Sequence, residues 1–297
     1  MSVRTKNMTE GKPLPLILSF ALPLMVGNVF QQCYTVVDTM VVGKGLGVGA
    51  LAALGAADWL NWMMLGIIQG LTQGFAILMA QEFGAGRIDR LKKTVGNGIV
   101  LAAISSVVLL VAGQLAATPI LRLLQTPEEI FANTLLYLRI MFMGVPIVMA
   151  YNLLACVLRA LGDGKTPLQA MVVASMVNIV LDLLFVLVFG WGIAGAAVAT
   201  LIAQVCSGLY CLWHMRKISQ LALGRKDLRL EGALARQLFV LGSPMAFQNG
   251  IIAIGGMIVQ FVVNGFGVIF IAGFTATNKL YGILEIAATS YGYAMIT

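Results

Sequence analysis

Two carboxylates in this sequence stand inside long apolar runs, and each has amide and hydroxyl neighbours at helical spacing. In "TVVDTMVV", residues 35–42, Asp38 is the one charged side chain. Asn28, Gln31 or Gln32, Thr35 and Asp38 recur at steps of three and four, which places them on one stripe of an otherwise apolar helix. In "SMVNIVLDLLF", Ser175, Asn178 and Asp182 repeat the pattern, with Asn178 and Asp182 one turn apart on the same face. Thr200, Gln204 and Ser207 form a third seam, and Asn152 adds a further amide. Two nearby carboxylates in a low dielectric do not both ionise cheaply. Either they share a proton, or a monovalent cation sits between them with Asn and Thr oxygens completing its shell. If the seams meet, the expected product is a polar cavity inside one helical bundle.

Other chemistries lack raw material. Cys33, Cys156, Cys206 and Cys211 lie in apolar runs without C-x-x-C spacing, and His214 is the single histidine. They read as packing residues rather than a disulfide or zinc framework. "GDGKTP", residues 162–167, lacks a phosphate loop's first glycine, because Arg159 occupies its place. Pro167 would also break the helix that should follow. No nucleophile–base or metal constellation appears, so the chain is not read as an enzyme, and no cofactor is expected beyond a coupling ion. The +7 net charge does not imply nucleic acid, since the basic residues are spread among loops.

The elements that must carry these residues are membrane helices. Of the 297 residues, 60% are hydrophobic and 10% charged, against about 25% charged in soluble domains. Mean hydropathy is +0.93. The apolar runs are continuous rather than alternating, which excludes a β-barrel. Eight segments can be read, over 14–40, 51–81, 94–118, 130–158, 167–190, 193–214, 235–263 and 270–297. The first is too long for a cleaved leader. If each segment spans once, Lys and Arg concentrate on the N-terminal side of the membrane, while the opposite loops hold only Lys44 and Arg122. By the positive-inside rule the N-terminus is cytoplasmic. At the bilayer centre an ionised Asp costs about 2.5–3.5 kcal/mol, so intramembrane acids mark functional sites.

A weak internal repeat sets the domain plan. "LPLMVGN" (22–28) and "SPMAFQN" (243–249) each place Asn five residues after Pro, and the same offset pairs "ALAALGA" (50–56) with "IAGFTAT" (271–277). Two related halves are a common transporter design. The expected organisation is a six-helix lobe over 1–215, a cytoplasmic linker over 216–234, and the start of a second lobe over 235–297. The second copy holds two helices only, which reads as a fragment. Pro23, Pro146 and Pro244 are expected kinks or hinges. Lys279 is open between snorkelling to the interface and facing inward, and Glu285 reads as interior without a nameable partner.

The wording of "LILSFALPLMVGNVFQQCYTVVDTMVVGKGLG", "GLTQGFAILMAQEFGAG", "LRALGDGKTP" and "NIVLDLLFV" resembles the multidrug and toxic compound extrusion (MATE) transporters, over essentially the whole chain. The resemblance implies twelve helices in two six-helix lobes, of which this chain would supply eight. It also implies a DinF-like branch coupled through a first-lobe cation site. In that reading Asp38 matches the first-helix Asp, Asn178 and Asp182 the fifth-helix pair, and Thr200 the sixth-helix Thr. Gln31, Thr35 and Asn152 would support the network. A branch with second-lobe coupling expects a seventh-helix Glu near Ile252, which argues against it here. The implied function is alternating-access export of small organic, cationic compounds in exchange for protons or sodium, by a monomer in a bacterial inner membrane and in contact with its lipid. The rival reading is a lipid-linked precursor flippase or another solute carrier of the same superfamily. A flippase would line its cavity with Arg or Lys, whereas Asp, Asn, Gln and Thr dominate these seams.

Overall fold

The computed structural model of the chain describes residues 29, 32, 35–218, 221, 223–224 and 226–296, with 283 and 285–296 described by backbone alone. The architecture is all-α, with no strand among the described residues. Helix α1 covers 35–46. It is followed by α2 (Val48–Gly84), α3 (Ile88–Leu123), α4 (Glu128–Met143), α5 (Val145–Ala160), α6 (Lys165–Asp182), α7 (Gly192–Met215), α8 (Gly232–Asn264) and α9 (Val268–Ile296). Among the described residues five helices are long and apolar enough to cross a bilayer, or six if α4 and α5 together make one span. This is a polytopic membrane bundle.

Three local departures from the expected segments matter for the site. The fourth segment, expected as one helix, is bent by 49° between α4 and α5. The break falls at Gly144, two residues before Pro146, whose ring cannot continue an uninterrupted hydrogen-bond ladder. The fifth segment changes winding directly after Asp182, where Leu183–Val188 forms a π-helix. Its run of large apolar residues carries no breaker that would announce the change. The third segment continues past Pro119, which lies inside α3. The proline leaves the carbonyl of Leu115 without its helical donor, on a face where Leu115 is 73% exposed.

Tight glycine turns hold neighbouring helices in register. Gly47, at φ 87°, separates α1 from α2, and Gly43 faces Leu51 across that turn. Gly190 and Gly192 both have positive φ and fold α7 back along α6; only glycine adopts that backbone without strain. Between them Trp191 stacks on Phe185, with ring centroids 4.7 Å apart. The returned hairpin brings the seam of α7 opposite that of α6.

α2 and α8 pack closely along much of their length. Gly66, Gly70 and Gly74 recur every fourth residue, so they share one face. A methyl group at Gly70 would strike the backbone of Met245 and Ala246, and one at Gly74 the backbone of Leu241 and Gly242. Asn249, the asparagine of the second Pro-to-Asn repeat, donates to the Gly66 carbonyl at 2.9 Å. At the far end of α8, Asn264 donates to the Leu124 carbonyl at 2.8 Å. The segment before α8 is tied to the start of α3. Asn97 accepts from the Glu231 amide at 2.8 Å, and Lys93 pairs with the Glu231 carboxylate at 2.8 Å.

Candidate functional site

Asp182 closes the regular part of α6 and is 0% exposed. Asp38 on α1 is half-buried, and the two carboxyl groups lie within hydrogen-bonding reach of each other. The end of α1 sets this approach: Gly45 packs against Leu187 and Val186 of the π-helix. Asp38 stands two turns back along α1, and Asp182 about one turn back through the π-helix. Asp38 Oδ1 and Asp182 Oδ1 are shielded from solvent and accept no hydrogen bond from a described donor. A proton shared between them, or a cation bound between them, would satisfy both.

Asn178 extends the chain one turn up α6. Its amide is assigned with nitrogen toward Asp182 Oδ2, at 2.8 Å, and oxygen accepting from the Thr200 N–H, at 3.2 Å. The opposite orientation would make only a 3.4 Å contact from nitrogen to Thr200 Oγ1, so the network selects the first. Asp38, Asp182, Asn178 and Thr200 therefore meet across α1, α6 and α7. Beside the carboxylate pair stand an amide and a hydroxyl, a set that suits a proton as it stands and a hard monovalent cation, rather than a soft metal, once the Asn178 amide turns its oxygen inward.

Beside this chain lies a polar cavity of about 70 Å³, lined among others by Ser175, Asn178, Thr200, Gln204, Ser207 and Tyr151. The seams of α6 and α7 do meet. Gln204 Oε1 is shielded there and takes no hydrogen bond from a described donor. The space suits a few waters and not an organic molecule.

The supporting residues fare differently. Asn152 does not join the network, because its amide donates to the Val148 carbonyl of its own helix at 2.8 Å. An amide on a helix always has this i−4 acceptor within reach, which sequence spacing cannot discount. Thr35 is half-buried on α1, and its carbonyl accepts from Thr39 Oγ1 at 2.7 Å. Gln31 and Asn28 lie outside the described residues, and so does the side chain of Glu285. Lys279 does not snorkel alone: it pairs with Asp58 of α2 at 2.7 Å. Asp58 is an acid inside the apolar segment 51–81 and so carries the same sequence signal as Asp38. Glu82 lies just past the same segment. It is 2% exposed and held by Arg87 at 2.7 Å and Arg90 at 3.2 Å, which fastens the turn between α2 and α3. In "GDGKTP" the side chain of Asp163 accepts the Thr166 N–H at 3.0 Å, a cap for the start of α6 rather than a phosphate cradle.

A bundle of long apolar helices with acids buried between its spans is the organisation of a membrane transporter. Residues 23–184 match the MatE family model, and the chain belongs to the MatE family, whose members are transporters rather than enzymes. It is 32% identical over 295 residues to the probable multidrug resistance protein YpnP of Bacillus subtilis, covering 99% of this chain and 66% of the relative. It is 31% identical to the probable multidrug resistance protein YoeA of the same organism, covering 93% of this chain and 61% of that one. The chain thus spans less than two thirds of the length of these curated relatives. A multidrug resistance MATE family transporter of the MOP superfamily, solved in an inward-facing conformation, superposes with a TM-score of 0.84. That match covers 94% of this chain and 63% of that structure at 23% identity, so it speaks for the fold.

Proposed function

We propose that this chain carries the cation-coupling site of a secondary active transporter that exports small organic, cationic compounds in exchange for protons or sodium. The observation that carries the reading is the meeting of Asp38 and Asp182, two shielded carboxyl groups with two orphaned oxygens, beside Asn178 and Thr200. The multidrug names of the two Bacillus relatives support the export of organic compounds. In this mechanism a proton or sodium ion enters from outside and binds between the two acids. Its binding reshapes the helices that carry them and lowers affinity for the exported compound in the outward state. Differential affinity between two states is the whole of the coupling. The division into a lobe over 1–215, a linker over 216–234 and a second lobe from 235 belongs to the same proposal. So do a cytoplasmic N-terminus, a bacterial inner-membrane location and a monomeric unit surrounded by lipid.

The test is uptake of a fluorescent organic cation into inverted membrane vesicles holding the full-length protein, with proton and sodium gradients imposed separately. One gradient should drive uptake and its collapse should abolish it. Uptake indifferent to both gradients would end the proposal.

A further inference from the structure

The Asp38–Asp182 site has a charged neighbour that its own helices do not supply. Lys279 belongs to α9, on the other side of the linker from Asp38, and forms an ion pair with Asp58 at 2.7 Å. The pair is partly shielded, with side chains 24% and 34% exposed. Three observations put this ammonium at the level of Asp38. First, Gly43 and Leu51 face each other across the turn at Gly47. Counting back equally along α1 and α2 from that contact sets Asp38 level with residue 56, within a turn of Asp58. Second, Gln32, three residues before α1, donates to the carbonyl of Lys279 at 2.9 Å, and Gly282 closes on the same glutamine. Third, Gly55 meets Thr275 as Asp58 meets Lys279, so α9 runs parallel to α2 and antiparallel to α1. Helical side chains lean toward their own N-terminus, and on α9 that direction leads from the level of Gln32 toward Asp38 on α1. Lys279 attracts and Asp58 repels the Asp38 carboxylate, which also meets Asp182.

We propose that Lys279 is a tethered counter-ion of the cation site: its ammonium, parked on Asp58, competes with the coupling cation for Asp38 and so ties α9 to the occupancy of that site. The inference rests on the cation-coupling reading above. With a proton or sodium ion between Asp38 and Asp182, the ammonium is left to Asp58. When the ion departs, the charge on Asp38 draws Lys279 from Asp58 toward α1, which loosens the α2–α9 tie and joins α9 to α1 instead. A flexible lysine stem permits such a move without backbone change. No bond is made or broken, and the step is an exchange of ion-pair partners.

The competition predicts opposite effects for two neutralising variants, a pattern that general damage does not produce. In full-length protein reconstituted in vesicles, ethidium export would be measured against external concentration of whichever ion, proton or sodium, drives the wild type. Lys279→Met should lower the concentration giving half-maximal export by at least about threefold, because a competing charge has gone. Asp58→Asn should raise it by a similar factor, since the ammonium then has only Asp38. Lys279→Arg should restore wild-type dependence. Half-maximal concentrations that are unchanged, or that move in the same direction in both neutralising variants, would overturn the inference. Asp38→Asn separates the two readings. If it abolishes ion dependence while Lys279→Met shifts nothing, only the counter-ion idea fails. If it leaves ion dependence intact, the cation site fails and the counter-ion with it.

Discussion

At the scale of single residues, the cost of a buried charge made Asp38 and Asp182 visible. If they exist to bind and release a cation, Asp38→Asn in the full-length protein should insert and fold normally, with thermal stability held or slightly raised. Neutral Asn keeps the shape and removes the charge. Gradient-driven export should nevertheless fall to background, and Asp182→Asn should behave alike if the carboxyls act as a pair. A purely architectural role would give less folded protein with transport per folded molecule unchanged. The neighbouring amides separate by geometry. Asn178→Ala leaves Asp182 Oδ2 without its 2.8 Å donor, which should lower stability by about 1–3 kcal/mol and also impair export. Asn152→Ala removes only a bond to its own helix and should leave ion dependence untouched. Thermal-shift and export measurements on the two variants check this. Sequence spacing grouped both amides with the acids, because a helical periodicity reports a face and not a partner. The same limitation hid the ion pair of Asp58, whose partner lies more than 200 positions away.

Among the elements, length and hydropathy made the helices legible, and the irregularities were only half so. Pro146 announced the bend between α4 and α5, since a proline ring has a mechanism for breaking a ladder. The π-helix after Asp182 had no such herald, because its winding answers to packing against α1 and the Gly190–Gly192 turn. The α2–α8 seam was hidden for another reason: glycines four apart are common in membrane helices, and which neighbour they face is a tertiary fact. That seam is open to direct test. Gly74→Leu would drive a side chain into the Gly242 backbone, so it should cost about 3 kcal/mol or more, at or beyond the usual range of overpacking. Gly84→Ala meets nothing within 4 Å and should be neutral or mildly stabilising. Melting of the detergent-solubilised variants decides it. A Gly74→Leu protein as stable as wild type would show that the two helices are not closely apposed there.

For the whole molecule, the distribution of Lys and Arg predicts orientation more strongly than any single helix does. The connections after α2, after α5 and after α7, together with the helix ends that flank them, carry most of these residues, and the last turn of α3 carries Arg122. The structure adds a reason for the basic side to stay together: Glu231 is bound by Lys93 and Asn97, so the segment leading into α8 lies on the first turns of α3. Both ends of that contact must therefore be on one side of the membrane. With the four native cysteines replaced, Lys226→Cys should be reached by a membrane-impermeant maleimide only in inverted vesicles. Glu128→Cys, an exposed position at the start of α4, should be labelled in intact cells. The two positions are separated by three membrane crossings in this plan, an odd number, so their labelling must be opposite. The positive-inside rule assigns the linker to the cytoplasm. Labelling of Lys226→Cys in intact cells would reverse the orientation, and with it the direction of transport assigned to the Asp38–Asp182 site. Labelling of both positions from the same side would break the span count itself.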